Sequence, residues 1–141
     1  MVFNYENKLI EWASNKIGSS FKYGINDCVS LCRQGLEIIY GNDVLSELGN
    51  WNSKKEALDK YQKFGCPVSF IRNKGWNEID KNYIQTGDIL IMNTVPLKTC
   101  CIVIHDKVLV IDKKRGIILQ QVSNIKETVF CFRKGRIECH R

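Results

Sequence analysis

The sequence predicts an α+β fold, with helices in its first half and an antiparallel sheet in its second. Three observations lead there. Up to about residue 65, apolar side chains recur at three- and four-residue steps, the period of a half-buried helix. From Gly87-Asp88 onward the pattern shifts to short runs rich in Val and Ile, which read as strands. The links between those runs are too short for parallel crossovers, so the strands must be mostly antiparallel. The chain has 141 residues, of which 44% are hydrophobic and 26% charged, and only two are proline. That excludes collagen-like and disordered classes and suits one domain with a real core. The expected division of residues 1–141 is a helical half over about 1–65, a connecting segment over 66–86 and a sheet half over 87–134.

The first helix is expected from Tyr5 to Ile17, with Tyr5, Leu9, Trp12, Ala13 and Ile17 on one face and Gly18 placed to end it. A short extended link, Phe21-Lys22-Tyr23-Gly24, leads to Asn26-Asp27, either of which can cap the next helix. That helix is predicted over Cys28–Tyr40, burying Cys28, Leu31, Cys32, Gly35, Leu36 and Ile39, with Gly41 as its stop. Gly35 lowers helix propensity by roughly 1 kcal/mol relative to alanine, which close approach of a neighbouring element would explain. Ser53-Lys54-Lys55-Glu56 is a capping box for a third helix over Lys54–Phe64, ending at Gly65. Residues 66–86 show no clear period and are expected to wander over the surface, anchored by Phe70, Ile71, Trp76 and Ile79. Strands are predicted at Ile89–Met92, Cys101–Ile104, Val108–Ile111, Ile117–Val122 and Val129–Phe132.

Net charge is +6, unevenly spread: residues 1–104 carry 12 Lys/Arg against 11 Asp/Glu, and residues 105–141 carry 9 against 4. Lys113, Lys114, Arg115, Arg133, Lys134 and Arg136 therefore offer a DNA contact. The same residues also suit strand turns kept soluble by charge. No uncharged apolar run approaches the roughly 20 residues of a membrane span, and the start of the chain lacks a basic signal-peptide character, so no membrane span is expected. Seven cysteines are an odd number without an export signal, which points to reduced thiols. Cys28 and Cys32 have helical i,i+4 spacing, but His105 and His140 form no ligand pattern with them, so neither metal nor other cofactor is expected.

The most informative stretch is Phe21–Cys28. It sets a cysteine in the first turn of a helix, after a polar cap and a glycine-bearing loop. Backbone N–H groups and the positive end of the helix dipole there favour a thiolate, which is how a nucleophilic cysteine is made. The same pattern also fits a capped helix followed by a small apolar residue. Asp88 reads as a turn carboxylate serving backbone N–H groups at a strand start. His105, in His105-Asp106-Lys107, reads as an exposed hairpin residue. Trp12 belongs to a helical apolar face, while Trp51 and Trp76 sit in loop-like context, where an interface or carbohydrate-platform role is open.

Gly24-x-x-Asp27-Cys28 opening a helix, followed by Gly87-Asp88-Ile89-Leu90 opening a sheet, resembles the NlpC-type branch of the papain-like cysteine peptidases. It is closest to short domains of that fold encoded by phages and prophages. The resemblance runs from about Trp12 to Phe132 and implies a papain-like fold with Cys28 in the nucleophile position. The active peptidases open their second core strand with a histidine. Here those positions are Thr99, Cys100 and Cys101. His105 follows four to six residues later, roughly 13–20 Å along an extended strand, beyond the ~3 Å reach of a general base.

The resemblance thus implies a catalytically degenerate papain-like domain, with Cys28 as the candidate nucleophile. Its expected role is that of a virion structural component, at the head–tail junction or in the tail. It would be made in the host cytoplasm and partnered by other phage structural proteins in a symmetric assembly. Two alternatives compete with it: a cysteine peptidase or amidase acting on peptidoglycan peptides, and a cytoplasmic nucleic-acid-binding module using the basic C-terminal half.

Overall fold

The computed structural model describes residues 1–94 and 97–135. Four helices precede or flank a six-stranded antiparallel sheet. Helices α1 (Tyr5–Lys16), α2 (Cys28–Tyr40) and α3 (Lys54–Phe64) lie where the sequence predicts them. The capping box operates with a shift: the Ser53 hydroxyl accepts from the Glu56 N–H at 3.2 Å, while the Glu56 carboxylate accepts from the Asn52 N–H at 2.9 Å.

The expectation that residues 66–86 wander is corrected. They hold a further helix, α4 (Pro67–Asn73), and a strand, β1 (Asn77–Ile79). Proline at the first helical position needs no N–H partner and starts α4, which buries Val68 and Ile71. Strand β1 is only three residues long, too short for a periodic signal, and exists because β6 (Val129–Arg133) pairs with it.

The remaining strands are β2 (Ile89–Met92), β3 (Thr99–Ile104), β4 (Lys107–Asp112) and β5 (Gly116–Gln121), in the order β1-β6-β2-β3-β4-β5. Strand alternation sorts the core into two layers. Ile89, Ile91, Cys100, Ile102, Leu109, Ile117 and Phe132 pack beneath the helices, with Leu31, Leu36 and Ile39 of α2. Leu90, Met92, Cys101, Val103, Val108, Val110 and Cys131 fill the opposite face, under Val122 and Ile125. Both faces of β2 are thus covered, which is why its four residues are apolar without alternation. Adjacent Cys100 and Cys101 face opposite layers, as neighbours in a strand must. Gly35 lets α2 settle on β3: a Cβ there would run into Ile102 Cδ1.

Strands β3 and β4 are each six residues long but pair only at Val103↔Val108 and Ile104↔Lys107. Beyond that hairpin the start of β3 and the end of β4 part, and the opening lies beside the first turn of α2.

Candidate functional site: the cleft at the start of α2

A cleft of about 1060 Å³ occupies that opening. Its floor is Cys28 and Cys100. Phe21, Tyr23 and Tyr61 supply aromatic surface, and Lys60, Lys98 and Lys113–Arg115 supply charge.

The sequence places Cys28 there through Asp27. The Asp27 backbone is extended, and its side chain caps α2 by accepting the Ser30 N–H at 2.7 Å. Its other oxygen accepts the Gly24 N–H at 2.6 Å and the Trp51 Nε1–H at 2.7 Å. Gly24 has φ +80°, and a Cβ there would overlap the Trp51 carbonyl, so only glycine fits both the turn and the contact. Trp51 is itself delivered by Arg33. That side chain, 15% exposed, donates to both carboxylate oxygens of Asp43 and to the Gly49 carbonyl, and stands over the Trp51 ring with its guanidinium carbon 5.7 Å from the centroid.

Trp51 and Trp76 are buried, so the open role for them as an exposed interface or carbohydrate platform is corrected; Trp51 is instead part of the cleft lining. The support of the cleft by Arg33, Asp43 and Trp51 was not foreseen. Its one sequence signal is an arginine in helix α2 next to the apolar stripe of Leu31, Cys32 and Leu36, with an aspartate ten residues on.

Cys28 is half-buried, and its sulfur is enclosed deeply enough to reverse the expected electrostatics. Burial pushes the thiol up from its ordinary value, and the neighbouring Asp27 charge adds to that. Backbone N–H groups of Cys100, Val29 and Cys28 act the other way without prevailing. The expectation that the helix start favours a thiolate is thus corrected: desolvation outweighs the helix-start N–H groups. Cys32, Cys100 and Cys101 are raised well above the ordinary thiol value by burial. Cys66 differs. Burial raises it, but the N–H and hydroxyl of Ser69, the Val68 N–H and the Lys98 charge together bring it below the ordinary value. The six cysteines among the described residues are free thiols, and Cys139 lies outside those residues.

The remaining candidates lie elsewhere. His105 is exposed in the β3–β4 turn with φ 58°, at the end of β3 remote from Cys28. His140 and Arg136 lie outside the described residues. Asp88 is fully buried. It accepts the Gln85 N–H at 2.8 Å, as a turn carboxylate does, and also binds Arg133 through Nε and Nη2, each at 2.9 Å. The basic residues do not gather. Lys113, Lys114 and Arg115 form the β4–β5 turn, whereas Arg133 is held by Asp88 and the Lys134 ammonium lies over the Tyr40 ring at 5.2 Å, with β2 and β3 between the two groups. Among the described residues no group of three or more His, Cys, Asp or Glu could hold a metal ion, and no helix is long and apolar enough to cross a membrane.

No curated protein matches the chain. A family model described as a domain of unknown function, DUF6950, matches residues 2–133, from before α1 to the end of β6. A match over nearly the whole chain makes this protein a member of the DUF6950 family.

Proposed function

We propose that this chain is a catalytically degenerate papain-like domain acting as a structural component of a phage particle, at the head–tail junction or in the tail. The observation that carries the reading is the environment of Cys28. The residue stands at the start of a helix packed on an antiparallel sheet, where a nucleophile would be. Its sulfur faces the backbone N–H of Cys100, and burial keeps the thiol protonated at neutral pH. Amide hydrolysis needs a thiolate and then a proton donor for the departing amine, a transfer that typically contributes about 10²–10⁴-fold. Thr99 and Cys100, the residues of β3 that line the cleft, supply a hydroxyl and a buried thiol, neither of which exchanges protons readily near pH 7. A domain that keeps the architecture with a silenced thiol works by binding.

The experiment pairs two measurements. Purified particles from a phage or prophage encoding the chain should contain it in fixed stoichiometry. The isolated wild-type chain should leave a cell-wall peptide intact, as should Cys28→Ala. Cleavage by the wild type that vanishes in Cys28→Ala would establish the peptidase reading instead. Salt-sensitive binding to duplex DNA, with the chain absent from particles, would establish the nucleic-acid reading.

A further inference from the structure

The packing of α2 on β3 brings three thiols to one place. Cys28, Cys32 and Gly35 follow one another at steps of four and three residues, so they share one face of α2. Gly35 sits against Ile102, and Cys100, two residues before Ile102, lies on the same side of β3. The Cys28 sulfur faces the Cys100 N–H, so helix and strand run in the same direction. Back from the Gly35–Ile102 contact, Cys32 lies roughly 4.5 Å and Cys28 roughly 10 Å along the helix, and Cys100 roughly 7 Å along the strand. Cys100 therefore falls between the two cysteines of α2. Cys101 and Cys131 belong to the opposite layer, and Cys66 has the Ser69 hydroxyl beside it at 3.5 Å. The three thiols do not converge as metal ligands do, which leaves pairwise chemistry.

Two observations select Cys28 with Cys100. The first is reach. A disulfide joins cysteines whose Cα atoms are about 4.4–6.8 Å apart. A sulfur already facing the other residue's own N–H needs side-chain rotation to meet that condition, not rearrangement of helix and strand. The second is access. Cys28 is half-buried and, with Cys100, floors the cleft, whereas Cys32 is 1% exposed. A small oxidant entering the cleft therefore meets Cys28 first.

We propose that Cys28 and Cys100 are an oxidative modification site, converted to a disulfide by a peroxide that enters the cleft. In the first step the Cys28 sulfur gives up its proton and attacks one peroxide oxygen. The O–O bond breaks, the departing hydroxide takes a proton, and a sulfenic acid and one water result. In the second step the Cys100 sulfur attacks the sulfenic sulfur. The S–S bond forms, the S–O bond breaks, and the Cys100 proton leaves with the hydroxide as a second water. The two thiols together lose two electrons and two protons, and one peroxide becomes two waters. Burial, which holds both thiols protonated, slows the first step; the packing of α2 on β3 makes the second one intramolecular. The bond would tie the start of α2 to β3 and fix the cleft floor. The inference goes beyond the role proposed above and stands whether or not the chain belongs to a particle.

The test treats the reduced full chain with hydrogen peroxide at mildly alkaline pH, alkylates it in denaturant and maps its peptides without reduction. A linked pair carrying Cys28 and Cys100 should appear, at a rate independent of protein concentration, and dithiothreitol should reverse it. Oxidation should raise Tm by about 10 °C, as a cross-link closing a long loop does, and the rise should vanish in Cys28→Ala and in Cys100→Ala. The wild-type peptide map decides the matter if either variant is unstable. Cys66→Ser should keep the link. The proposal is overturned if no link forms, if Cys32 or Cys66 is a partner in it, or if it joins two molecules. It is equally overturned if Cys28 proceeds to a sulfinic acid while Cys100 stays a free thiol. A fall in Tm on linking would show that the pair does not meet in the folded chain, and overturns it as well.

Discussion

Asp27 and Asp88 are both buried carboxylates at the start of an element, one opening α2 and the other preceding β2, and they are anchored in opposite ways. Asp27 is surrounded by neutral donors: two backbone N–H groups and an indole. The guanidinium of its neighbourhood, Arg33, stands one step back and holds the segment that carries Trp51. Asp88 takes its guanidinium directly, from Arg133 at the end of β6, and needs only one backbone N–H besides. The first arrangement fixes a loop against a helix start and sets the cleft floor. The second ties the ends of two neighbouring inner strands, β2 and β6, and Arg133, one-third exposed, keeps access to water. A carboxylate held by neutral donors has no partner that solvent can take over when it is removed; one held by a partly exposed arginine does.

That difference orders the effects of mutation. Asp27→Ala should be the most damaging change, lowering stability by about 3 kcal/mol, because a helix cap is lost and the Trp51 N–H is stranded in the core. Asp27→Asn should come close to it, since its amide nitrogen would face the Gly24 and Trp51 donors. Asp88→Ala should cost less, about 2 kcal/mol, as Arg133 turns to water instead of remaining a buried unpaired charge. Urea midpoints of the three variants check this order, and equal losses at the two aspartates would remove the distinction. Trp51→Phe should cost about 1 kcal/mol, and in a double-mutant cycle with Asp27→Ala its effect should be markedly non-additive.

Two further measurements sharpen the picture around α2. Hydrogen bonding from Arg33 holds the Asp43 carboxyl below its ordinary value of 3.8. A carboxylate depressed in the folded state contributes stability above its unfolded value and loses it as pH falls through the folded one. Acid unfolding should therefore steepen below about pH 4 in the wild type and be shallower in Arg33→Gln, measured as the pH slope of the unfolding free energy. The smallest effect is chemical. At mildly alkaline pH, iodoacetamide should modify Cys66 before Cys28, read by peptide mass spectrometry, because the environment of Cys66 favours its thiolate and that of Cys28 opposes it. Faster labelling of Cys28 would restore the reactive-nucleophile reading.

The sequence made the regular elements legible where a local rule operates. The Asp27 cap, the Ser53 capping box, Gly41 and the Val/Ile runs each place an element to within a residue or two. It did not reveal β1, whose three residues are ordered by pairing with β6 more than fifty positions away. The candidate site was half legible. Cys28 and its cap are neighbours in sequence, whereas Trp51 reads as loop because nothing local reports that Asp27 waits for its indole. The thiol's protonation could not be read at all, since helix position favours one answer and enclosure, a property of the whole fold, imposes the other.

The brief pairing of β3 with β4 has a mechanical consequence. Strands β1, β6, β2 and β3 form one plate laced by pairs along their length, and β4 with β5 forms another, laced by six pairs. Only two residue pairs beside the His105 turn join them. With so short a ladder, side-chain packing has to hold the two plates together: Leu109 and Ile117 join the layer beneath the helices, and Val108 and Val110 join the opposite layer. Gly18 and Ser19 add a second tie, from the end of α1 to Ile117, so the wall of the cleft formed by β4 is fixed more by its core residues than by strand pairing.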